Sequence, residues 1–174
     1  VAQNLGIDRI AKYATMLGLG RKTGINLSHE EAGLIPTEEW KRQRYGQEWS
    51  PGETLSCAIG QSYVLTTPLQ LANAYAAIAT GGVLWKPYLV KYIESPDGRI
   101  LKEFQSELLG KVTFRQKTLD LVHKGLFQVV NDPHGTGFGV RIPGIDVAGK
   151  TGSTQVIGLS AAKLRSTKCE NMPF

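Results

Sequence analysis

One lysine and three hydroxyls gather around a pair of glycines in Val147-Ala148-Gly149-Lys150-Thr151-Gly152-Ser153-Thr154-Gln155-Val156-Ile157. The flanks are β-branched or apolar, which predicts a strand. Residues two apart on a strand share a face, so the hydroxyls of Thr151 and Ser153 would point the same way. Gly149 and Gly152 leave the main chain bare on both sides of the Lys-Thr pair, so a ligand can lie against the backbone itself. A fixed positive charge with two hydroxyl donors suits a carboxylate. The expectation is an anion clamp on an edge strand, built from Lys150, Thr151, Gly152 and Ser153.

A rival reading uses the same letters. Gly144-Ile145-Asp146-Val147-Ala148-Gly149-Lys150-Thr151 fits the G-x-x-x-x-G-K-[ST] pattern of a nucleotide-binding P-loop. That loop needs a hydrophobic strand before its first glycine and a helix beginning at Lys-Thr, whose N-terminal N–H groups hold the phosphates. Arg141-Ile142-Pro143 precedes Gly144, and Gly152 with a strand-like run follows Thr151. Both flanks favour the strand. The tripeptide also occurs earlier, as Lys22-Thr23-Gly24, where Gly20 ends a helical pattern and no β-branched run leads in. That copy reads as a loop, so the tripeptide alone is weak evidence.

The elements that must position the clamp can be taken in order. Residues 1–19 place Ile7, Ile10, Ala11, Ala14 and Leu17 at helical spacing opposite Asp8, Arg9 and Lys12, with Gly18 and Gly20 as stops. An irregular connection over 20–35 leads to a short helix capped by Thr37, with acids in its first turn and Trp40 facing the core. The run Lys41-Arg42-Gln43-Arg44 reads as its solvated face, and residues 46–60, rich in Gly, Pro and Ser, as a long loop. Thr67 as cap and Pro68 at the first helical position open a helix ended by Gly81-Gly82. Its small alanines predict close packing at the centre of the fold. Residues 84–94 and 99–104 are strand-like and joined by Ser95-Pro96-Asp97-Gly98, which predicts a hairpin. Residues 114–130 predict a helix, and Asn131-Asp132-Pro133-His134-Gly135-Thr136-Gly137 a mobile loop leading to the clamp strand.

Composition bounds the function. With 174 residues, 41% of them hydrophobic, the chain is globular and can bury about 70% of its unfolded surface as one domain. The net charge of +5 is spread along the chain without the aromatic interleaving that suits nucleic acid, so none is expected as a partner. Cys57 and Cys169 fit no metal or redox spacing, and Cys57 reads as a small buried hydrophobe. His29, His123 and His134 lie far apart; no metal and no cofactor is expected. The sequence opens in mid-element on Val1, without a starting Met, signal peptide or apolar run of about 18 residues, and reads as a piece of something longer.

The order of several motifs resembles a known family. Leu17-Gly18-Leu19-Gly20 with Thr23-Gly24-Ile25 and Gly33-Leu34-Ile35-Pro36, then Ile59-Gly60-Gln61 with Thr67-Pro68-Leu69-Gln70-Leu71-Ala72, then Gly135-Thr136-Gly137 and Ala148-Gly149-Lys150-Thr151-Gly152 follow one another. Together they resemble the transpeptidase domain of class B penicillin-binding proteins, nearest to the branch serving bacterial cell elongation. The resemblance implies an α/β (α+β) serine acyl-transferase fold, an antiparallel sheet flanked by helices, as in serine β-lactamases. It makes residues 1–174 a single, partial transpeptidase domain. It also implies a periplasmic site on a membrane-anchored parent, with cell-elongation proteins as partners.

Such domains carry Ser-x-x-Lys, Ser-x-Asn and Lys-[Ser/Thr]-Gly. Only the third stands here in its place. Ser160-Ala161-Ala162-Lys163 is the one Ser-x-x-Lys and follows Lys150, whereas the family puts its nucleophile far ahead; no Ser-x-Asn occurs. By resemblance, a serine outside this chain attacks the penultimate D-alanyl carbonyl of a peptidoglycan stem peptide, releases D-alanine and passes the acyl group to a neighbouring amine. β-Lactam antibiotics are trapped at the acyl stage. Lys150 makes the site positive, Thr151 and Ser153 hold the terminal carboxylate, and the Ser153 N–H shares the oxyanion hole with the absent serine. A third possibility is a non-catalytic piece whose role is packing or partner contact.

Overall fold

The computed structural model describes residues 1–152. The N-terminal helical pattern is not one helix. Gly6, at φ 74°, divides it into α1 (Ala2–Leu5) and α2 (Ile7–Met16), because a left-handed residue cannot continue a right-handed helix. Ile7 and Ala11 form the buried face of α2, and both helices pack against α4. The 20–35 segment is irregular, as its glycines predict.

Helix α3 (Glu38–Tyr45) starts as expected, with the Thr37 hydroxyl accepting from Trp40 N at 3.0 Å. Two expectations around it fail. Lys41 is not on a solvated face: it is 5% exposed, its Nζ donating to the Glu48 carbonyl at 2.7 Å and to Glu53 at 2.8 Å. Residues 46–60 are not all loop, since α4 spans Pro51–Ala58 with Pro51 in its first turn and Ser50 N donating to Glu53 Oε2 at 2.7 Å. The Gly and Pro taken as loop signals are the N-terminal residues of a helix, where neither costs a hydrogen bond. The ion pair joins the two errors: a charge can be buried in α3 because α4 brings the opposite one. Trp40 is half-buried in an edge-on cluster with Tyr45 at 5.7 Å and Tyr63 at 5.1 Å between ring centroids.

Helix α5 (Pro68–Ala79) has the predicted cap, completed by a reciprocal bond from Thr67 N to Gln70 Oε1 at 2.9 Å. Gln70 is 1% exposed, and its amide also donates to the carbonyls of Arg21 and Ala32, at 2.7 and 2.8 Å. This one side chain ties α5 to the glycine-rich connection. Ala74 and Ala77 are buried toward the strands, whereas Leu71 and Tyr75 on the other side are exposed.

The strand-like runs break into β1 (Val83–Trp85), β2 (Tyr92–Glu94), β3 (Ile100–Glu103) and β4 (Leu108–Lys111). β2 and β3 form the predicted antiparallel hairpin, and β1 pairs antiparallel with β4, so among the described residues the sheets are two-stranded. Residues 86–91, expected as strand, are not, as Pro87 lacks the N–H a ladder needs. Leu84, on the strand packed against α5, is buried, and so is Val112, whose N–H donates to the Gly82 carbonyl at 2.8 Å. Helix α6 (Gln116–Asn131) buries Leu119 and Val130 and ends in turns and a 3-10 segment, Phe138–Val140.

Candidate active site

The described part of the clamp segment, up to Gly152, is held by α6. Gly149 N donates to the Leu126 carbonyl at 3.0 Å, and the Asn131 amide bridges Phe127 O at 2.9 Å and Val147 O at 2.8 Å. Up to Gly152 no residue of this segment joins a sheet, which corrects the expectation of a strand at Lys150. A β-branched pattern makes extension cheap but cannot make a strand without a neighbour to bond. The continuation from Ser153 to Val156, including the hydroxyl of Ser153, lies outside the described residues, as do Ser160, Lys163 and Cys169.

Residues 131–137, expected to be mobile, are closed by hydrogen bonds. His134 N donates to Asp132 Oδ1, Gly135 N to Asp132 O and Gly137 N to Val129 O, each at 2.8 Å. The loop sits so close to the end of α6 that a Cβ on Gly135 would lie 2.3 Å from the Val129 carbonyl oxygen. Only glycine fits there. Thr136 is thereby aimed at the clamp, its Oγ1 3.0 Å from Thr151 Oγ1.

Lys150 and Thr151 are both exposed. The Lys150 ammonium donates to the Thr151 carbonyl at 2.7 Å and approaches Thr151 Oγ1 at 3.4 Å, and among the described residues no carboxylate pairs with it. Among the described residues nothing stands within 4 Å of a Cβ at Gly152, in keeping with the bare-backbone reading. The segment runs between two apolar grooves. One, of about 500 Å³, is lined by Tyr75, Ile78, His123, Leu126 and Ala148; the other, of about 460 Å³, reaches from Ile7, Ile10 and Cys57 to Leu71 and Gly152. This geometry can bind an anion. It is not that of a P-loop: Gly144 closes a turn between Ile142 and Ile145, no helix begins at Thr151, and the Gly149 N–H is spent on α6.

The earlier tripeptide differs. Glu30 Oε1 accepts from both Thr23 N and Thr23 Oγ1 at 2.6 Å, and Oε2 accepts from Gly24 N at 3.1 Å. Partial desolvation raises the Glu30 carboxyl, but the bonds from Thr23 and Gly24 together with the Lys22 charge outweigh it and hold the pKa below the usual glutamate value. Thr23 is 3% exposed.

Sequence reasoning missed Asn131 and assigned no task to Thr136. Glycines flank Thr136 on both sides as they do the Lys150-Thr151 pair, and that signal was readable.

An exposed Lys-Thr-Gly segment lies against α6 in a mixed helix and sheet fold, and likeness to known proteins supplies the class. The chain belongs to the penicillin-binding protein transpeptidase domain family, whose pattern covers residues 1–170. Among relatives it is 38% identical to the peptidoglycan D,D-transpeptidase MrdA of Haemophilus influenzae over 162 residues, 91% of this chain and 24% of that protein. Among solved structures, Pseudomonas aeruginosa PBP2 in complex with WCK 5153 superposes with a TM-score of 0.68 at 38% identity, covering 80% of this chain and 31% of that one. Helicobacter pylori PBP2, in its complex with MreC, does so with a TM-score of 0.72 at 32% identity, over 89% and 27%. The chain thus spans about a quarter of the length of the curated relatives it matches.

Proposed function

We propose that this chain is part of a PBP2-type serine D,D-transpeptidase that cross-links peptidoglycan stem peptides, and that residues 1–174 form one partial transpeptidase domain. Lys150, Thr151 and Ser153 hold the terminal carboxylate of the D-alanyl-D-alanine end, or the equivalent carboxylate of a β-lactam. The observation that carries this is the exposed Lys150–Thr151 pair, against which no carboxylate stands among the described residues. It is a binding element ready for an external anion. Ser153 N–H serves in the oxyanion hole, where donors aimed at developing charge do most for the rate. The acylated serine and its lysine base belong to the longer protein. That protein is anchored in the inner membrane with this domain in the periplasm, and it works with cell-elongation proteins, a reading supported by the PBP2–MreC complex of H. pylori.

The coding sequence upstream of Val1 provides the test. A Ser-x-x-Lys opening a helix tens of residues earlier is expected, as is labelling of the longer protein by fluorescent penicillin that stops when that serine becomes alanine. No such motif, or labelling indifferent to the serine, would turn the reading toward a non-catalytic piece.

A further inference from the structure

We infer that Thr136 is a positioning residue that fixes which way the Thr151 hydroxyl points its proton. The inference rests on the carboxylate-clamp reading and deepens it. A hydroxyl has one proton to donate and two lone pairs to accept with. Thr151 Oγ1 lies 3.4 Å from Lys150 Nζ and 3.0 Å from Thr136 Oγ1. An ammonium can only donate, so Lys150 occupies one lone pair. If Thr136 donates into the other, the proton of Thr151 meets no further acceptor among the described residues and is presented outward to a carboxylate. The chain of donors from Thr136 through Thr151 also polarises each bond in turn.

The surroundings hold Thr136 in place for this task. Gly137 N is bonded to Val129 O at 2.8 Å, and Gly135 stands where a Cβ would lie 2.3 Å from Val129 O and 2.5 Å from Gln128 O. The threonine between these two glycines is therefore pinned to the end of α6. The clamp segment is tied to the same helix through Asn131 and Gly149. One rigid element carries both hydroxyls, and their separation follows from α6 and not from a flexible loop. Thr136 is exposed, so removing its hydroxyl need not disturb packing.

The experiment uses the full-length protein and two probes, benzylpenicillin and its methyl ester, which lacks the free carboxylate. The ratio of their second-order acylation rates measures carboxylate recognition alone. Thr136→Val, of nearly the same shape, should lower that ratio about three- to tenfold, one neutral hydrogen bond's worth. Thr136→Ser should restore it. An equal loss with both probes would assign Thr136 a merely structural role and overturn the inference, as would Thr136→Val leaving the ratio unchanged. Failure of both probes to acylate the unmodified protein would instead remove the clamp reading beneath it, and this inference too.

Discussion

At Lys22-Thr23-Gly24 the threonine hydroxyl and two main-chain N–H groups close on the carboxylate of Glu30, seven residues from Thr23 and partly shielded from water. At Lys150-Thr151-Gly152 the same three residue types stand exposed, the lysine bonded to its neighbour's carbonyl and the threonine to a second threonine from another loop. The first copy is a demonstration, within this molecule, that a Thr-Gly step with its N–H groups free makes a carboxylate site. It is also a site the chain fills itself, so it serves to fold the 20–35 connection. The second copy lacks a built-in acid within reach among the described residues, and among them nothing stands within 4 Å of a Cβ at Gly152. On the proposed reading, what separates the structural copy from the functional one is whether the described chain supplies its own carboxylate.

The largest consequence concerns acylation in the full-length protein. Charge-assisted hydrogen bonds contribute about 1.5–3 kcal/mol, so Lys150→Ala should slow penicillin acylation by about ten- to a hundredfold or more. Lys22→Ala should leave it within about twofold, as expected for a surface substitution. Equal losses would mean that the two copies do not differ in the way described.

Stability should show the reverse order. Glu30→Ala removes the acceptor from the buried Thr23 and from Gly24, which should destabilise the fold by about 1–3 kcal/mol in urea denaturation. Thr151→Val, at an exposed position, should change it by less than about 0.5 kcal/mol. If Thr151→Val proved the more damaging, the clamp would be part of the folding core.

A smaller effect follows from titration. The folded-state pKa of Glu30 lies below its ordinary value, so its contribution is full above the ordinary glutamate range and is lost as pH falls through the folded value. Glu53 behaves alike: desolvation raises it, but the Lys41 and Ser50 bonds outweigh that and lower its pKa. The melting-temperature gap between the wild type and Glu30→Gln should therefore narrow on acidification. A gap that widened toward low pH would contradict the assigned direction.

How far the sequence disclosed this arrangement depended on whether a signal was local. The Thr67 cap with Pro68, the turn at Ser95–Gly98 and the periodicity of α6 are local, and each appears where expected. Some misses were local, the break at Gly6 and the Ser50–Glu53 cap of α4 among them, but others are partnerships between distant residues. Lys41 reads as a surface charge until Glu53 is beside it, β1 cannot be paired with β4 from either stretch alone, and Gln70 looks like an ordinary helix residue until Arg21 and Ala32 accept from it. At the site the tripeptide was legible, and so was the argument against a P-loop. The glycines around Thr136 were a readable signal, but its contact with Thr151 and the support from Asn131 were not, since both depend on how the end of α6 meets residues 147–151.

The smallest expected effect is none at all: the chain of 174 residues by itself should form no stable covalent adduct with penicillin. Acylation needs an activated nucleophile about 3 Å from the carbonyl with oxyanion donors in place, and the clamp provides only the recognition of one carboxylate. Held by Lys150, Thr151 and Ser153 alone, a carboxylate should bind with about millimolar affinity, near −4 kcal/mol, because association entropy consumes most of the contact energy. Glu30 offers a scale for this. Its carboxylate binds the first tripeptide because the chain already tethers it there, so the entropy that an external anion must lose is largely spent in folding. Intact-mass measurement after incubation with excess penicillin decides the matter. A one-equivalent adduct that vanished in Ser160→Ala would make Ser160, with Lys163, the nucleophile and base, and the clamp would then serve a serine that follows it in the chain.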